Sequence, residues 1–574
     1  MEHGETVTQK PIKKLLAANR GEIAIRIFRA CTELGIRTVG IYGHEDLLAI
    51  HRYKADEAFL IGTEGAGAAA YLDQDAIIHV AKAHGVDAIH PGYGFLSENE
   101  GFARRCAEEG IIFIGPKPET LEMLGDKTRA REVAKRCQVP TVPGSDGASC
   151  NVDEVRSFGA KYGFPLILKA AFGGGGRGMR IVHGPDEVDE AFARAAGESE
   201  KAFGRSEVFC EKFVQRARHI EVQILADQHG HFMHLFDRDC SVQRRHQKVV
   251  EYAPALNLST ATKEALYDSA LKLARACNYV NAGTVEFLVD EEGGFFFIEV
   301  NPRIQVEHTV TELITGVDLV QCQIRIAEGA RLEDKRLALP TQENLRCNGF
   351  AIQCRVTTED PQRGFLPDTG KISAYRVAGG FGIRIDAGTG GTGSVVSGDF
   401  DSLIVKVSAW ASTFEAASQK ALRSLREFRI RGVKTNIPFL ENAITHPEFL
   451  GGKATTRFID NTPELLEFKP RKDRATKLLR ALASSVVNGF SADGCPFERP
   501  KHLFVAHPPA VSGQPVADSP AMTVFRAEGA EGLSSWLRNE NSVQLTDTTF
   551  RDAHQSLLAT RVRTKDLLAI CPAT

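Results

Sequence analysis

A run that reads as a β-strand, Leu166 to Phe172, carries Lys169 and opens into Gly173-Gly174-Gly175-Gly176-Arg177-Gly178. Four consecutive glycines leave backbone N–H groups unobstructed, and with Lys169 and Arg177 they can fold over phosphates. No Gly-Lys-Ser/Thr follows, so this is not a Walker-type loop. The alternative, a flexible linker, sits poorly between a buried strand and the β run Met179–Val182. A second constellation is acidic. Thr284–Asp290 and Phe295–Asn301 flank a Glu-Glu-Gly-Gly turn, and a hairpin centred between Glu292 and Gly293 sets Glu286 directly opposite Glu299. Facing carboxylates repel; a bound Mg²⁺ would reverse that sign, with Asn301 on the same face as a third oxygen ligand. The alternative is that one glutamate faces water.

Continuous with that strand is Asn301-Pro302-Arg303-Ile304-Gln305-Val306-Glu307-His308. A guanidinium can hold a small planar oxyanion by two parallel hydrogen bonds, and a neighbouring carboxylate can act as general base. Taken alone, Arg303 and Glu307 read more readily as a salt bridge. The stretch Asp237–Lys248 concentrates charge after a hairpin in which His219, Glu221 and Gln223 alternate with Ile220, Val222 and Ile224. A solvated face competes there with an anion or nucleotide site.

The elements that must position these residues follow from periodicity. Residues 12–42 predict strand, turn, helix and strand, and further units through Ile114 make a doubly wound α/β layer. Gly21 stands alone where a dinucleotide site wants GxGxxG, so NAD is not expected. Beyond Pro116 the spacing predicts one helix over 119–137, then an α+β region to about 310, more strands over 345–455 with a helix at 414–428, and a Pro/Gly/Ala/Ser-rich linker at 491–520.

The chain has 574 residues, enough for about four domains. Its 70 basic and 73 acidic side chains leave a formal charge of −3, which provides no general field for nucleic acid or a membrane surface. The 12 cysteines include no CxxC pair, so neither a zinc ribbon nor a disulfide framework is indicated. No GxSxG or HExxH occurs. The start, MEHGETVTQK, has neither signal-peptide nor transit-peptide character, so a cytoplasmic location is the expectation; a trimmed mitochondrial chain would read the same.

With these residues assembled, the chain resembles the biotin-dependent carboxylases, whose biotin carboxylase component has the ATP-grasp fold. The stretches that carry the resemblance are Ala18–Arg26, His90–Asn99, Gly115–Lys117, Lys169–Met179, Arg238–Val250, Glu299–His308 and Gly349–Arg355. It implies a doubly wound N-terminal domain (12–120), an ATP-grasp domain (121–340, glycine-rich lid at about 140–210), a mixed α/β C-terminal domain (341–465) and a tether and linker (466–540). Lys117, Lys169, Gly175 and Gly176 are implied at the ATP phosphates, Glu211, Lys212, Phe213 and Val214 at the adenine, and His219, Gln243 and His246 in the same pocket. Glu286, Glu299 and Asn301 would hold Mg²⁺ or Mn²⁺. Lys248, Arg303, Gln305 and Val306 would hold bicarbonate, with Glu307 as its base; Arg355 would stabilise a biotin enolate, and Tyr93 lies in the motif lining the biotin site. The implied reaction phosphorylates bicarbonate to carboxyphosphate, whose CO₂ is captured by biotin.

The segment Leu545–Arg561 resembles the opening of the carboxyltransferase barrel in the branch of the family that acts on keto acids. By that resemblance Asp552 would be a metal ligand, and Arg551 and Gln555 would bind the keto acid. A barrel needs about 250 residues, so 541–574 is expected to be only its start, contributing a first strand. No Ala-Met-Lys-Met motif is present, so biotin would come in trans on a carrier domain, and pyruvate would be a substrate only of the complete enzyme. A homo-oligomer, dimer or tetramer, and an acetyl-CoA activator contacting Arg471–Arg474, are also implied. The alternatives are the carboxylase component of an acyl-CoA carboxylase and a non-catalytic ATP-binding fragment.

Overall fold

The computed structural model describes residues 10–145, 150–170, 180–203, 207–468, 474–488, 518–557 and 562–571. They fall into two compact units, 1–469 and 470–574.

The first unit opens with a parallel sheet of β1 (Lys14–Ala17), β2 (Arg37–Tyr42), β3 (Glu57–Leu60), β4 (Ala88–His90) and β5 (Ile112–Phe113), in the order β3-β2-β1-β4-β5. The order reverses between β1 and β4, and loops leaving the carboxyl ends of such strands form a crevice. Helix α1 (Gly21–Glu33) starts directly after β1, and Ile23, Ile27 and Phe28 bury one face of it beneath the sheet. The Asn19 amide donates to the carbonyls of Pro91 and Tyr93, both at 2.8 Å, and so ties the two crevice loops together. Gly92 has φ +66, and a Cβ there would stand 3.0 Å from the Asn19 side chain. Close approach and a left-handed backbone both require glycine there.

The helix expected over 119–137 is two: Pro118–Gly125 and Lys127–Arg136. Asp126 separates them because its carboxylate accepts from the N–H groups of Thr128 and Arg129, capping a new helix instead of extending the old one. A three-stranded antiparallel sheet follows, with β6 (Leu166–Ala170) between β7 (Arg180–Val182) and β8 (Val208–Lys212).

The largest element is an eight-stranded sheet. Strands β9 (Arg218–Ala226), β10 (Phe232–Arg244), β11 (Gln247–Ala253), β12 (Asn281–Val289), β13 (Phe295–Asn301) and β14 (Phe350–Thr357) run in the order β13-β12-β9-β10-β11-β14. The strands Leu403–Ala411 and Ile383–Ala387 complete it. Alternation gives it two characters. On one face, Ile220, Val222, Val285, Phe287 and Val300 form one core, while Val242, Val250, Cys354, Val405 and Val407 form another. The helix His308–Thr315 packs on β10, β11, β14 and Leu403–Ala411. It meets the sheet's polar face through hydroxyls: Thr309 Oγ1 lies 2.8 Å from Ser408 Oγ, and Thr311 Oγ1 accepts from Arg238 at 2.9 Å.

The second unit contains helices Arg474–Asn488 and Pro520–Asn539, a π-helical Thr549–Leu557 and a helix Thr564–Ile570. Residues 541–548 form no strand among the described residues, contrary to expectation. A strand requires a neighbour for its backbone groups, and no sheet of the described residues includes this segment. Most of the expected linker at 491–520, with Arg471 to Asp473 of the tether, lies outside the described residues. No helix among those described is long and apolar enough to cross a membrane.

Candidate active site

Charged side chains line the polar face of the eight-stranded sheet in rungs. Across β13, β12, β9 and β10, Glu299, Glu286, Glu221 and Arg238 are successive cross-strand partners. Three adjacent glutamates repel, so the arrangement depends on cations. Arg238, with no exposed surface, donates to Glu221, to Gln223 Oε1 at 2.7 Å and to Thr284 Oγ1 at 3.0 Å. Lys248 Nζ, from the start of β11, reaches Glu221 Oε2 and Glu307 Oε1 at 2.6 Å and Glu286 Oε1 at 2.8 Å. All three ammonium protons therefore have acceptors. The charge run Asp237–Lys248 is thus mostly internal; only Arg245 to Gln247, at the turn, are exposed. Arg245 and His246 form that turn with φ of 47° and 65°. Left-handed conformation at both central residues is the requirement of a tight type I′ hairpin.

Glu307 immediately precedes the helix His308–Thr315 and is fully buried. Its second oxygen accepts from Arg355 Nη2 at 3.0 Å, and Arg355 Nε donates to Glu251. Burial alone would raise the Glu307 carboxyl, but Lys248, Arg355 and Arg238 hold it well below the usual carboxylate range. It is therefore ionised at neutral pH, as a base must be. Burial, opposed by Arg355 and reinforced by Glu307, raises Glu251.

Glu286 and Glu299 face each other as the hairpin reading expects, though the turn is centred one half-residue earlier. Phe287 pairs with Phe297, and a bulge at Ile298 restores the pairing of Glu286 with Glu299. Despite burial, Lys248 and His219 hold Glu286 well below its ordinary value. Burial and the charge of Glu286 raise Glu299, whose nearest ion-pair cation is Lys127 at 4.0 Å. An undercompensated carboxylate facing an ionised one is a donor set suited to a hard divalent cation. Asn301 donates from Nδ2 to Glu286 and accepts at Oδ1 from Arg303, both at 2.9 Å, so its amide would have to turn to offer oxygen to such an ion. His219 lies between Glu286 and Gln243, 2.9 Å from each.

Arg303 also reaches Gln305 Oε1 and Glu98 Oε1, each at 2.9 Å. At the small sheet, Glu211 pairs with both Arg131 and Lys169. Lys212 Nζ donates to the carbonyls of Gly163 (3.0 Å) and Phe164 (3.1 Å), while Phe213 N bonds Pro165 O at 3.1 Å ahead of Val214. Lys117 is exposed before Pro118 and has no ion pair among the described residues. Gly175, Gly176 and Arg177 lie outside the described residues. The Tyr93 hydroxyl donates to Glu22. Arg551, Asp552 and Gln555 lie together on Thr549–Leu557 in the second unit, with Arg551 Nε 3.0 Å from Asp552. Sequence reasoning flagged the stretches that hold Glu221 and Arg238 but gave neither residue a role, and it omitted Glu251. For Glu251 the available signal was an ionisable residue between the apolar Val249-Val250 and Tyr252-Ala253.

Family models match most of the first unit. "Biotin carboxylase, N-terminal domain" matches 11–121, "Carbamoyl-phosphate synthase L chain, ATP binding domain" 126–335, and "Biotin carboxylase C-terminal domain" 353–461. The biotin carboxylase domain dimer of Hydrogenobacter thermophilus 2-oxoglutarate carboxylase, solved with MgADP, ADP and bicarbonate, is 47% identical with a TM-score of 0.76, and the match spans 80% of this chain and 100% of that one. The chain belongs to the biotin carboxylase family. Within it, pyruvate carboxylase of Bacillus subtilis is 55% identical over 99% of this chain and 49% of its own length. Rhizobium etli pyruvate carboxylase, solved with acetyl coenzyme A, is 51% identical with a TM-score of 0.77, covering 98% of this chain and 50% of that one. The chain spans about half the length of these pyruvate carboxylases.

Proposed function

We propose that this biotin carboxylase chain uses ATP and bicarbonate to carboxylate biotin, as the first half-reaction of a pyruvate carboxylase. The observation that carries the reading is Glu307, an ionised buried carboxylate held between Lys248 and Arg355 beside the acidic rung. Bicarbonate would enter between Lys248 and Arg303, and its negative charge would raise the Glu307 carboxyl toward a useful basicity. Glu307 then takes the bicarbonate proton. The freed oxygen attacks the γ-phosphorus, the bond to the bridging oxygen breaks, and ADP leaves. Lys169, now paired with Glu211, would shift onto the phosphates as they arrive. Glu286 and Glu299 would hold Mg²⁺ or Mn²⁺, which neutralises phosphate charge when bound. Arg355, with Tyr93 nearby, is assigned to the oxygen that becomes negative on the biotin ureido group. His219, Gln243 and His246 are assigned to the nucleotide.

The match to pyruvate carboxylases continues over 98–99% of the chain and so includes the second unit. This favours a pyruvate-specific partner domain, a biotin carrier domain and an acetyl-CoA response. The chain's own domains are assigned to 12–120, 121–340 and 341–465. ADP release dependent on both bicarbonate and free biotin tests the reading. Glu307→Gln should reduce that release by about 10²–10⁴-fold while ATP binding persists. Undiminished turnover in the variant excludes Glu307 as the base.

A further inference from the structure

A second rung crosses the polar face of the large sheet: Arg355 of β14 is the direct partner of Lys406, and Lys406 of Asp386. Lys406 interrupts the apolar strand Leu403–Ala411, and its side chain has no exposed surface. Two cations directly opposite each other repel, so a buried lysine beside Arg355 depends on acceptors and anions of its own. Its ammonium meets two groups. It donates to the Val306 carbonyl at 2.9 Å, which fixes the peptide leading into Glu307. It also lies 2.9 Å from Glu22 Oε1, the oxygen that accepts the Tyr93 hydroxyl. Glu22 Oε2 is buried with no hydrogen-bond partner, so the carboxylate is held from one side only. Backbone contact reinforces the join: a Cβ on Gly388, which follows Ile383–Ala387, would stand 2.3 Å from Glu22 N.

We propose that Lys406 is a positioning residue that couples the bicarbonate side of the site to the biotin side, acting through Val306–Glu307 in one direction and Glu22–Tyr93 in the other. The inference rests on the function proposed above. Asp386 and His308 are the remaining ionisable groups facing this ammonium. Asp386 is already bound by Arg384, with Nε at 2.7 Å. Lys406 is thus left to Glu22 and Val306, and its loss frees both at once.

The test uses the whole chain with free biotin, and reads the bicarbonate KM and the ratio of ADP released to biotin carboxylated. Lys406→Met should raise the bicarbonate KM by about tenfold and raise the ADP-to-product ratio severalfold, because a displaced base and a displaced tyrosine uncouple the two steps. Lys406→Arg should restore the ratio towards that of the parent. Glu22→Gln, which keeps an acceptor for Tyr93 but removes the charge facing Lys406, should raise the ratio with a smaller change in KM, and serves if Lys406→Met does not fold. Folded variants that melt lower yet keep both readouts within about twofold of the parent would assign Lys406 a purely structural role and overturn the proposal. Absence of bicarbonate-dependent ADP release in the parent chain would instead overturn the function on which it rests.

Discussion

Arg238 uses its planar fork to satisfy Glu221, Gln223, Thr284 and Thr311 at once, from a position with no solvent access. Taking one partner from such a buried pair leaves the other undercompensated, here with only the shared Lys248, so Arg238→Met should destabilise the protein by about 3–5 kcal/mol. Adding Glu221→Gln should recover part of that loss, because without Arg238 the ammonium of Lys248 alone faces Glu221, Glu286 and Glu307; urea denaturation of the single and double variants measures both. Equal instability of the two would mean that the lost packing of the arginine stem dominates. Some residues of this network can be read from sequence and others cannot. Glu286 and Glu299 flank a visible turn, and Arg303 and Glu307 follow in one stretch. Glu221 and Arg238 become neighbours of these only when β9 is inserted between β12 and β10, a non-local pairing that no local spacing encodes.

The hairpin of β12 and β13 shows the same limit at the level of elements. Phe297 belongs to the apolar core and Glu299 to the polar rung, yet both are odd-numbered, and simple alternation would put them on one face. The bulge at Ile298 absorbs the extra residue and changes the parity between them. Deleting Ile298 should therefore leave a regular ladder with the same core pairs and a folded protein. It should also remove the local twist that aims Glu299, so Mg²⁺ dependence of ADP release should move to higher concentration, by about tenfold. An unchanged Mg²⁺ dependence would show that the bulge has no part in aiming that carboxylate. The turn itself was legible from Glu-Glu-Gly-Gly; the bulge was not, because only the conflict of parity betrays it. Helix boundaries were legible where a single face is apolar, as in α1, and failed at Asp126, where one capping carboxylate outweighs continuous helical spacing.

At the scale of the molecule, three buried histidines and the half-buried His234 set a pH limit. Burial lowers His51 and His234 to about 4 and His90 and His308 to about 3, against 6.5 when free. Below 6.5 the unfolded chain binds protons at these sites while the folded chain does not, so folding stability rises with pH through this window and falls as pH drops. Each histidine contributes a slope of up to about 1.4 kcal/mol per pH unit. Urea midpoints should decline steadily from pH 7 to pH 5, and a flat profile would contradict the buried neutral state. The three-part organisation of the first unit was legible from changes in texture along the chain, whereas the way one sheet runs across two of those parts was not. That shared sheet also sets an order of assembly. Glu307 is translated before its guanidinium partner, which lies 48 residues further on, and the lysine that grips Val306 lies 100 residues beyond it. A ribosome that has just released Glu307 holds a chain whose base has no arginine, so the site can ripen only after the last strands have been made.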